Sequence, residues 1–252
     1  YSASQKFRSQ IFPNDPYGRF TIADDFDALN QQVIASQYAA TWKTQKPVIF
    51  LSGKISDQQI TFLDQTIGQL HFKNEDILIP ALEPVAKPLK IREEKEGSVQ
   101  SSIRYGLPAI SRMNPDYFHY SVMNTVLGGY FGSRLQKNIR EDKGFTYGIS
   151  SSLAPYPRGG YWVVGTDVNG ENVDATLAEI KKEITILQNE LIPQEELEIV
   201  QSYLMGSFTG ELTQAFDIAE KVRVIQLDGL APDFYDQFQD SIQNIQAQDI
   251  RD

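Results

Sequence analysis

The chain has 252 residues, which is enough for two compact units of ordinary size with a sizeable core. Its hydrophobic content of 41% and charged content of 22% are typical of globular proteins, and no apolar run approaches the roughly 18–20 residues that span a bilayer. The formal net charge of −10 argues against a nucleic-acid partner, and the lack of cysteine excludes disulfides and thiolate metal sites. Bacterial periplasm and cytoplasm both stay open as locations, and a dimer stays open too.

The first part of the chain, residues 1–76, has a pattern of helices around one short strand. A helix is predicted from Phe26 to Trp42, because apolar residues recur there near helical spacing. The continuous apolar run Pro47–Gly53 predicts a buried strand. Ser56 and Gln59 fit a capping box, which predicts the start of a further helix.

Residues 77–96 differ in composition from both flanks. Pro80, Pro84 and Pro88 recur there among Lys and Glu residues. Such a sequence resists both helix and sheet, so it predicts a semi-rigid linker between two units. The alternative is an irregular surface loop within one domain.

Residues 97–252 are predicted to form the second unit. It begins with an alternating strand that ends near Leu107, followed by a helix capped by Asn114. A hairpin is predicted from Phe145 to Val168, with a loop rich in Pro and Gly. Four further helices are predicted at about 173–188, 194–208, 214–227 and 233–245. Antiparallel sheets with helices packed on one face, in two similar units, give the α+β class.

The stretch from Asn124 to Ser150 is the most informative part of the sequence. A glycine pair ends one helix, and a short second helix carrying Arg140 stops at Gly144. The period then changes to two, which predicts that Tyr147 lies on a strand. A guanidinium and a phenol, delivered from two rigid elements through one tight turn, can therefore converge on a single polar atom.

This stretch resembles the Arg/Tyr segment in the second half of zinc peptidases of the insulinase/pitrilysin class, which includes mitochondrial processing peptidase. The matching residues are Gly128-Gly129, Ser133-Arg134-Leu135, Arg140-Glu141, Lys143-Gly144 and Tyr147. Weaker matches extend over nearly the whole chain. The resemblance implies that residues 1–76 are the later, truncated part of a first, zinc-domain-like unit. It implies that residues 97–252 are the substrate-binding domain.

Members of that class that cleave peptides carry a His-x-x-Glu-His zinc motif, which this chain lacks. Its two histidines, His71 and His119, lie far apart in the sequence. The chain alone is therefore expected to bind no catalytic zinc and to have no peptidase activity. Zinc is expected either in a segment upstream of Tyr1 or in a partner subunit.

The resemblance implies catalytic roles for Arg140 and Tyr147. Tyr147 would donate a hydrogen bond to the substrate carbonyl or the tetrahedral oxyanion, and Arg140 would hold a nearby substrate carbonyl. The structural alternative is that Arg140 pairs with Glu141 or Asp142 and that Tyr147 is a half-buried strand residue.

The leading functional hypothesis is therefore the oxyanion side of a zinc metalloendopeptidase whose substrate is a peptide. The alternative is a non-catalytic interaction or assembly subunit with the same fold. Other residues are predicted to be structural: Arg134 anchors the short helix, Trp162 lies in the core, and the cluster Glu195, Glu196 and Glu198 forms a solvated face.

Overall fold

A computed structural model describes residues 2–42, 44–73, 82 and 88–251 of the chain. They form two compact units. The first unit consists of Tyr1–Arg19, Leu82–Gly210 and Ile225–Asp252, and the second of Phe20–Ala81 and Glu211–Val224.

The first unit is built on a three-stranded antiparallel sheet. Its strands are β1 (Gln100–Ala109), β2 (Ile149–Tyr156) and β3 (Gly159–Asn169), in the order β1-β3-β2. The predicted hairpin is confirmed, although its connection is only Pro157 and Arg158. Alternate residues of β3 are buried, which gives the sheet one face toward the core and one outer face.

Helices account for most of the remaining described chain. In chain order they are α1 (Ser2–Ile11), α2 (Ala23–Asp27), α3 (Gln31–Thr41), α4 (Asp57–Thr66), α5 (Tyr117–Asn124), α6 (Val173–Asn189), α7 (Gln194–Glu211), α8 (Ala215–Asp228), α9 (Phe234–Asn244) and α10 (Ala247–Arg251). The four helices predicted after the hairpin are confirmed to within a few residues. The helix predicted to begin after Asn114 starts instead at Tyr117, because the Asn114 side chain accepts the Asp116 N–H at 2.9 Å and forms a turn.

The core of the first unit lies between the inner face of the sheet and the helices. Its members come from the strands β2 and β3, from α5, α6, α7 and α9, and from the segments that follow α5, α6 and α9: Val122, Val126, Leu127, Leu135, Ile139, Ile149, Trp162, Val164, Ile180, Leu187, Ile192, Leu197, Val200, Ile242 and Ile245. Trp162 is buried, as predicted. Its indole N–H donates to Asn124 Oδ1 at 2.9 Å, which satisfies the polar end of the ring.

Helix α1 packs on the opposite, outer face of the sheet. The rings of Phe7 and Tyr161 lie edge to face with centroids 5.7 Å apart. Asp15, after α1, forms a two-pronged ion pair with Arg158 at the hairpin turn, with both N–O distances 2.7 Å. The N-terminal residues thus belong to the same compact unit as the sheet. The sequence analysis placed the domain boundaries near residues 76 and 96, and the two compact units divide the chain differently. The domain boundaries stay a prediction.

The second unit is helical in its described residues. The helix predicted from Phe26 to Trp42 is two helices, because the first ends at Asp27 and Asn30 caps the next by accepting the Val33 N–H at 3.0 Å. The capping box is confirmed: Ser56 N–H donates to Gln59 Oε1 at 2.8 Å, and Gln59 N–H to Ser56 Oγ at 3.4 Å.

The strand predicted at 47–53 is wrong. This segment has no regular secondary structure, and Val48, Ile49 and Leu51 are 45–55% exposed. A strand needs a neighbour to bond its backbone groups, and the described chain offers this segment none.

The buried apolar side chains of the described chain all lie outside the second unit. Most of its large apolar side chains on α2, α3, α4 and the segments around them are exposed: Ile22, Phe26, Leu29, Val33, Ile34, Tyr38, Trp42, Val48, Ile49, Leu51, Ile55, Ile60, Phe62 and Leu70. This unit therefore presents apolar surface and has little core of its own.

Half of the predicted linker falls outside the described residues, since 77–81 and 83–87 are not among them. Its described residues 88–95 form neither helix nor strand. Among the described residues, no helix has both the length and the apolar character needed to cross a membrane. The predicted α+β class, with helices on an antiparallel sheet, is confirmed.

Candidate functional site

The segment before β2 is a turn rather than a strand. The sequence predicted a strand from Phe145, but the ladder begins at Ile149. Gly144 has a positive φ of 65°, which turns the chain away from the helix that carries Arg140. Tyr147 therefore lies in a loop, and its predicted place on a strand is wrong.

Hydroxyl groups explain why the ladder stops early. Thr146 Oγ1 lies 2.8 Å from the Asp167 carbonyl oxygen and 3.2 Å from the Gly148 nitrogen. Thr166 Oγ1 lies 2.9 Å from the Gly148 carbonyl oxygen. Side-chain bonds thus take up backbone groups that a longer strand would pair with β3.

Arg140 lies on a π-helical segment, Gln136–Asp142, that completes the short second helix. Its wide turn is closed by the Lys143 N–H, which donates to the Asn138 carbonyl at 3.0 Å. Such π segments are frequent at functional sites. A second one, Thr125–Gly129, covers the glycine pair.

The guanidinium of Arg140 holds the backbone of the Tyr147 loop. Its Nε–H donates to the Tyr147 carbonyl oxygen at 3.0 Å, and its Cζ lies 4.5 Å from the centre of the Phe131 ring. A longer ion pair, 3.6 Å, joins it to Glu141. The structure thus brings Arg140 to the backbone of Tyr147 and also shows the pairing with Glu141 that was the structural alternative.

The side chain of Tyr147 is 95% exposed. The alternative of a half-buried strand residue is therefore wrong. Because its backbone is held by Arg140 and Thr146, the loop presents a phenol to solvent from an anchored position. A neutral phenol is a hydrogen-bond donor for an oxygen that gains negative charge.

The glycine pair packs this segment closely against β2. A Cβ on Gly128 would lie 2.6 Å from the Ser151 nitrogen and 3.0 Å from Leu135 Cδ1. Only a residue without a side chain allows this approach. Gly128 therefore has a close-packing role in this segment.

Two polar contacts fix the helix that carries Arg140. Arg134 forms a two-pronged pair with Glu196 at 2.8 and 2.6 Å, and the hydrogen bond that it donates to this carboxylate raises the pKa of the guanidinium. The predicted anchoring role of Arg134 is confirmed, whereas Glu196 is not part of a solvated face. Asn138 donates to Glu179 at 2.9 Å and to Glu183 at 2.6 Å, and its bond lowers the pKa of Glu179.

The sequence did not identify Phe131 or Thr146 as part of the site. Phe131 follows the glycine pair, and its ring contacts Arg140. Thr146 lies between two aromatic residues in the sequence, and nothing in the local pattern indicates that its hydroxyl has a distant partner. Only the fold brings Thr146 beside Thr166, with their hydroxyl oxygens 2.9 Å apart.

The described residues contain no cluster of three or more His, Asp or Glu that could hold a metal ion. His119 lies on α5, and His71 follows α4 and its terminal turn. The residues described here therefore do not fit a zinc site.

Comparison with known proteins gives the same family as the sequence motif. A family model described as the Peptidase M16 inactive domain matches residues 28–204. Uncharacterized zinc protease YmxG of Bacillus subtilis is 26% identical over 172 residues, which are 68% of this chain and 41% of that protein. Non-peptidase homolog YmxG of Helicobacter pylori is 24% identical over 221 residues, 82% of this chain and 48% of that protein.

Solved structures share the fold. The peptidase M16 inactive domain from Pseudomonas fluorescens has a TM-score of 0.81 at 20% identity, covering 99% of this chain and 60% of that chain. The chain spans about half the length of the curated relatives it matches, between 41% and 50%.

Proposed function

Because the chain belongs to the family of M16 peptidase inactive domains, we propose that it supplies the substrate-binding, oxyanion side of a zinc-dependent metalloendopeptidase. The observation that carries this proposal is the exposed phenol of Tyr147 on a loop whose backbone Arg140 holds at 3.0 Å. The chain alone is inactive in this proposal. Zinc, the Lewis acid of the reaction, belongs to another domain or subunit of the same family.

The chemistry of peptide hydrolysis explains the need for such a donor. Attack on a peptide carbonyl builds negative charge on its oxygen, and a fixed donor in the active site stabilises that charge. Tyr147 donates its phenol proton in a hydrogen bond to this oxygen. Arg140, which has donors besides the Nε that bonds the loop, holds a neighbouring substrate carbonyl.

Two observations support a zinc-bearing partner segment. The relatives are about twice as long as the matched chain, so they contain a further segment of similar size. The second unit also exposes large apolar side chains, with Trp42 73% and Phe62 63% exposed. Apolar surface of this kind marks a protein interface.

A non-catalytic interaction or assembly role is the second candidate. It is favoured by the relative that carries the name non-peptidase homolog. The coding sequence upstream of Tyr1 discriminates between the two. A His-x-x-Glu-His motif there, or in a neighbouring gene, supports the peptidase role, whereas its absence from both supports the assembly role.

The test is Tyr147→Phe in the chain combined with its zinc-bearing segment. Loss of one oxyanion donor costs on the order of 3–4 kcal/mol of transition-state stabilisation, so kcat should fall at least about tenfold with little change in KM. Tyr203→Phe, which removes an exposed hydroxyl from α7, is the matched control and should leave kcat unchanged. An unchanged kcat in Tyr147→Phe would contradict the role of the phenol.

A further inference from the structure

A polar groove lies on the outer face of the sheet, between α1 and the Tyr147 loop. The pairing register sets side chains of three strands in rows across this face. Arg104 lies opposite Gly165, which lies opposite Ser150. One row further toward the Tyr147 loop, Asp167 lies on the same face.

Helix α1 covers one half of the outer face and leaves the other half open. Phe7 packs against Tyr161 and lies over Gly106, where a Cβ would come within 2.9 Å of its ring. The uncovered half is a groove of about 370 Å³. Its lining includes Ser4, Arg104, Ser150, Ser152, Gly165 and Asp167. Its volume lies within the range of small-ligand sites.

Arg104 is held in place by neutral hydrogen-bond acceptors. Its Nε–H donates to Ser4 Oγ at 3.0 Å, and Nη1 donates to the Ile103 carbonyl at 2.7 Å and to Ser102 Oγ at 3.2 Å. Among the described residues no carboxylate lies within 4.0 Å of this guanidinium, and none of these bonds uses Nη2. The planar group lies over Gly165, whose lack of a side chain leaves the groove open above it.

We propose that this groove is a subsite that binds a carboxylate of the peptide substrate through Arg104. The inference rests on the proposed function, because the groove ends at Gly148, the residue that follows Tyr147. A half-buried guanidinium with a free face binds carboxylates strongly, since its N–H groups match the two oxygens. The hydroxyls of Ser150 and Ser152 add neutral donors along β2.

The position of the subsite sets the distance between the carboxylate bound by Arg104 and the peptide bond that lies at the Tyr147 loop. The guanidinium lies over β3, one strand spacing of about 4.8 Å from β2, and Tyr147 precedes Ser150 by three residues, which span at most about 10 Å. A substrate in extended conformation therefore needs at most about three residues to reach from Arg104 to the Tyr147 loop.

Asp167 restricts the kind of peptide that fits. Its carboxylate lines the groove on the side of the Thr146 turn, and no cation in the described chain lies within ion-pair distance of it. A second carboxylate beside it is repelled. The groove thus prefers one carboxylate at the Arg104 end, followed toward Tyr147 by neutral or basic residues.

The test measures binding of fluorescent peptides to the 252-residue chain by fluorescence anisotropy. The first peptide has one Glu and an amidated C-terminus, the second replaces that Glu by Gln, and the third has Gln with a free C-terminal carboxylate. The first peptide should bind at least about tenfold tighter than the second. Arg104→Gln should remove this difference, and Arg104→Lys should keep part of it. The third peptide shows whether a terminal carboxylate serves as well as a side chain.

Two further variants distinguish an effect of charge on peptide binding from a loss of the fold. Asp167→Asn should tighten binding of the Glu peptide, the opposite of the Arg104→Gln effect. Gly165→Val fills the groove without changing its charge and should weaken binding of the Glu peptide. Thermal unfolding of each variant by circular dichroism shows whether the fold is kept. Equal affinity for the first two peptides, or no binding of either at millimolar concentration, overturns the subsite.

The subsite and the proposed function can fail independently, and the variants distinguish the two cases. If Tyr147→Ala weakens all three peptides equally while Arg104→Gln changes none, the substrate role stands and the subsite is refuted. If Arg104→Gln removes carboxylate selectivity while Tyr147→Phe leaves kcat of the combined enzyme unchanged, the subsite stands and the catalytic role of Tyr147 is refuted.

Discussion

At the scale of the residue, Thr146 decides the conformation that carries Tyr147. Its hydroxyl lies within hydrogen-bond distance of Asp167, Gly148 and Thr166, so it replaces ladder bonds between β2 and β3. A residue without this hydroxyl leaves the Asp167 carbonyl and the nearly buried Thr166 hydroxyl with fewer partners. The exposure of the phenol thus depends on a neighbour with no part in the chemistry.

Thr146→Val is expected to lower the free energy of unfolding by about 1–3 kcal/mol, because it removes a part-buried hydroxyl bonded to three groups. Urea unfolding followed by circular dichroism measures this change. Thr146→Ser keeps the hydroxyl and should lose less than half as much. Equal losses in the two variants would contradict a role for the hydroxyl.

The pair of Asp15 and Arg158 makes stability depend on pH. The hydrogen bond from Arg158 holds the pKa of Asp15 below its ordinary value. Ionised Asp15 therefore stabilises the fold fully above its unfolded pKa of about 3.9, and this contribution is lost as pH falls through the lower folded pKa. The same Asp15 carboxylate accepts the Tyr17 N–H at 2.9 Å, a bond that Asn can also accept.

Asp15→Asn should therefore be less stable than the unaltered chain at neutral pH, and the gap should narrow below about pH 4. Urea unfolding midpoints measured from neutral pH to about pH 3 give the comparison. Arg158→Gln removes the other partner of the ion pair. Its stability deficit relative to the unaltered chain should also become smaller over the same pH range. A gap that stays constant down to about pH 3 would rule out the ion pair as its cause.

At the scale of the element, the glycine pair brings a π-helical segment against β2. Gly128 lies so close to Ser151 that a Cβ would come within 2.6 Å of its backbone nitrogen. The same contact sets where β2 lies relative to the helix that carries Arg140. The motif around the glycine pair is therefore a packing device as well as a sequence signature.

Gly128→Ala is expected to destabilise the chain by about 1–3 kcal/mol, since the added methyl group must displace backbone. Gly206→Ala is the matched control, because no atom lies within 4 Å of its Cβ position on α7. It should stabilise the chain by about 0.5–1 kcal/mol through higher helix propensity. Thermal unfolding of both variants shows whether each change lowers or raises the stability. An unchanged stability in Gly128→Ala would contradict the close packing.

At the scale of the whole molecule, the two units differ in what holds them together. The first has a continuous core between sheet and helices, whereas the described residues of the second bury no large apolar side chain. Apolar burial is the dominant favourable term in folding, so the second unit is the less stable of the two.

Amide hydrogen exchange should show this difference directly. Amides of α3 and α4 are expected to exchange at least about tenfold faster than those of α6, because fewer apolar contacts oppose their opening. Mass spectrometry of exchanged peptides measures both sets in one experiment. Equal protection would contradict the difference in core.

Local signals in the sequence were enough for the helix caps at Ser56 and Gln59, for the four helices after the hairpin and for the family. These depend on spacing, propensity and side chains a few residues apart. The loop at Tyr147, by contrast, depends on Thr166 and Asp167, about twenty residues along the chain. Period-two alternation cannot show that a hydroxyl will take the place of a ladder bond.

Residue identity and spacing alone were enough to relate this chain to M16 inactive domains and to show that it lacks His-x-x-Glu-His, because neither depends on the folded structure. The tertiary structure alone decided that 47–53 forms no strand, that the Tyr147 phenol faces solvent, and that Arg104 lines an open groove. Each of these depends on which distant segments supply hydrogen bonds and cover a face, and pairing of that kind is settled only when the chain is folded.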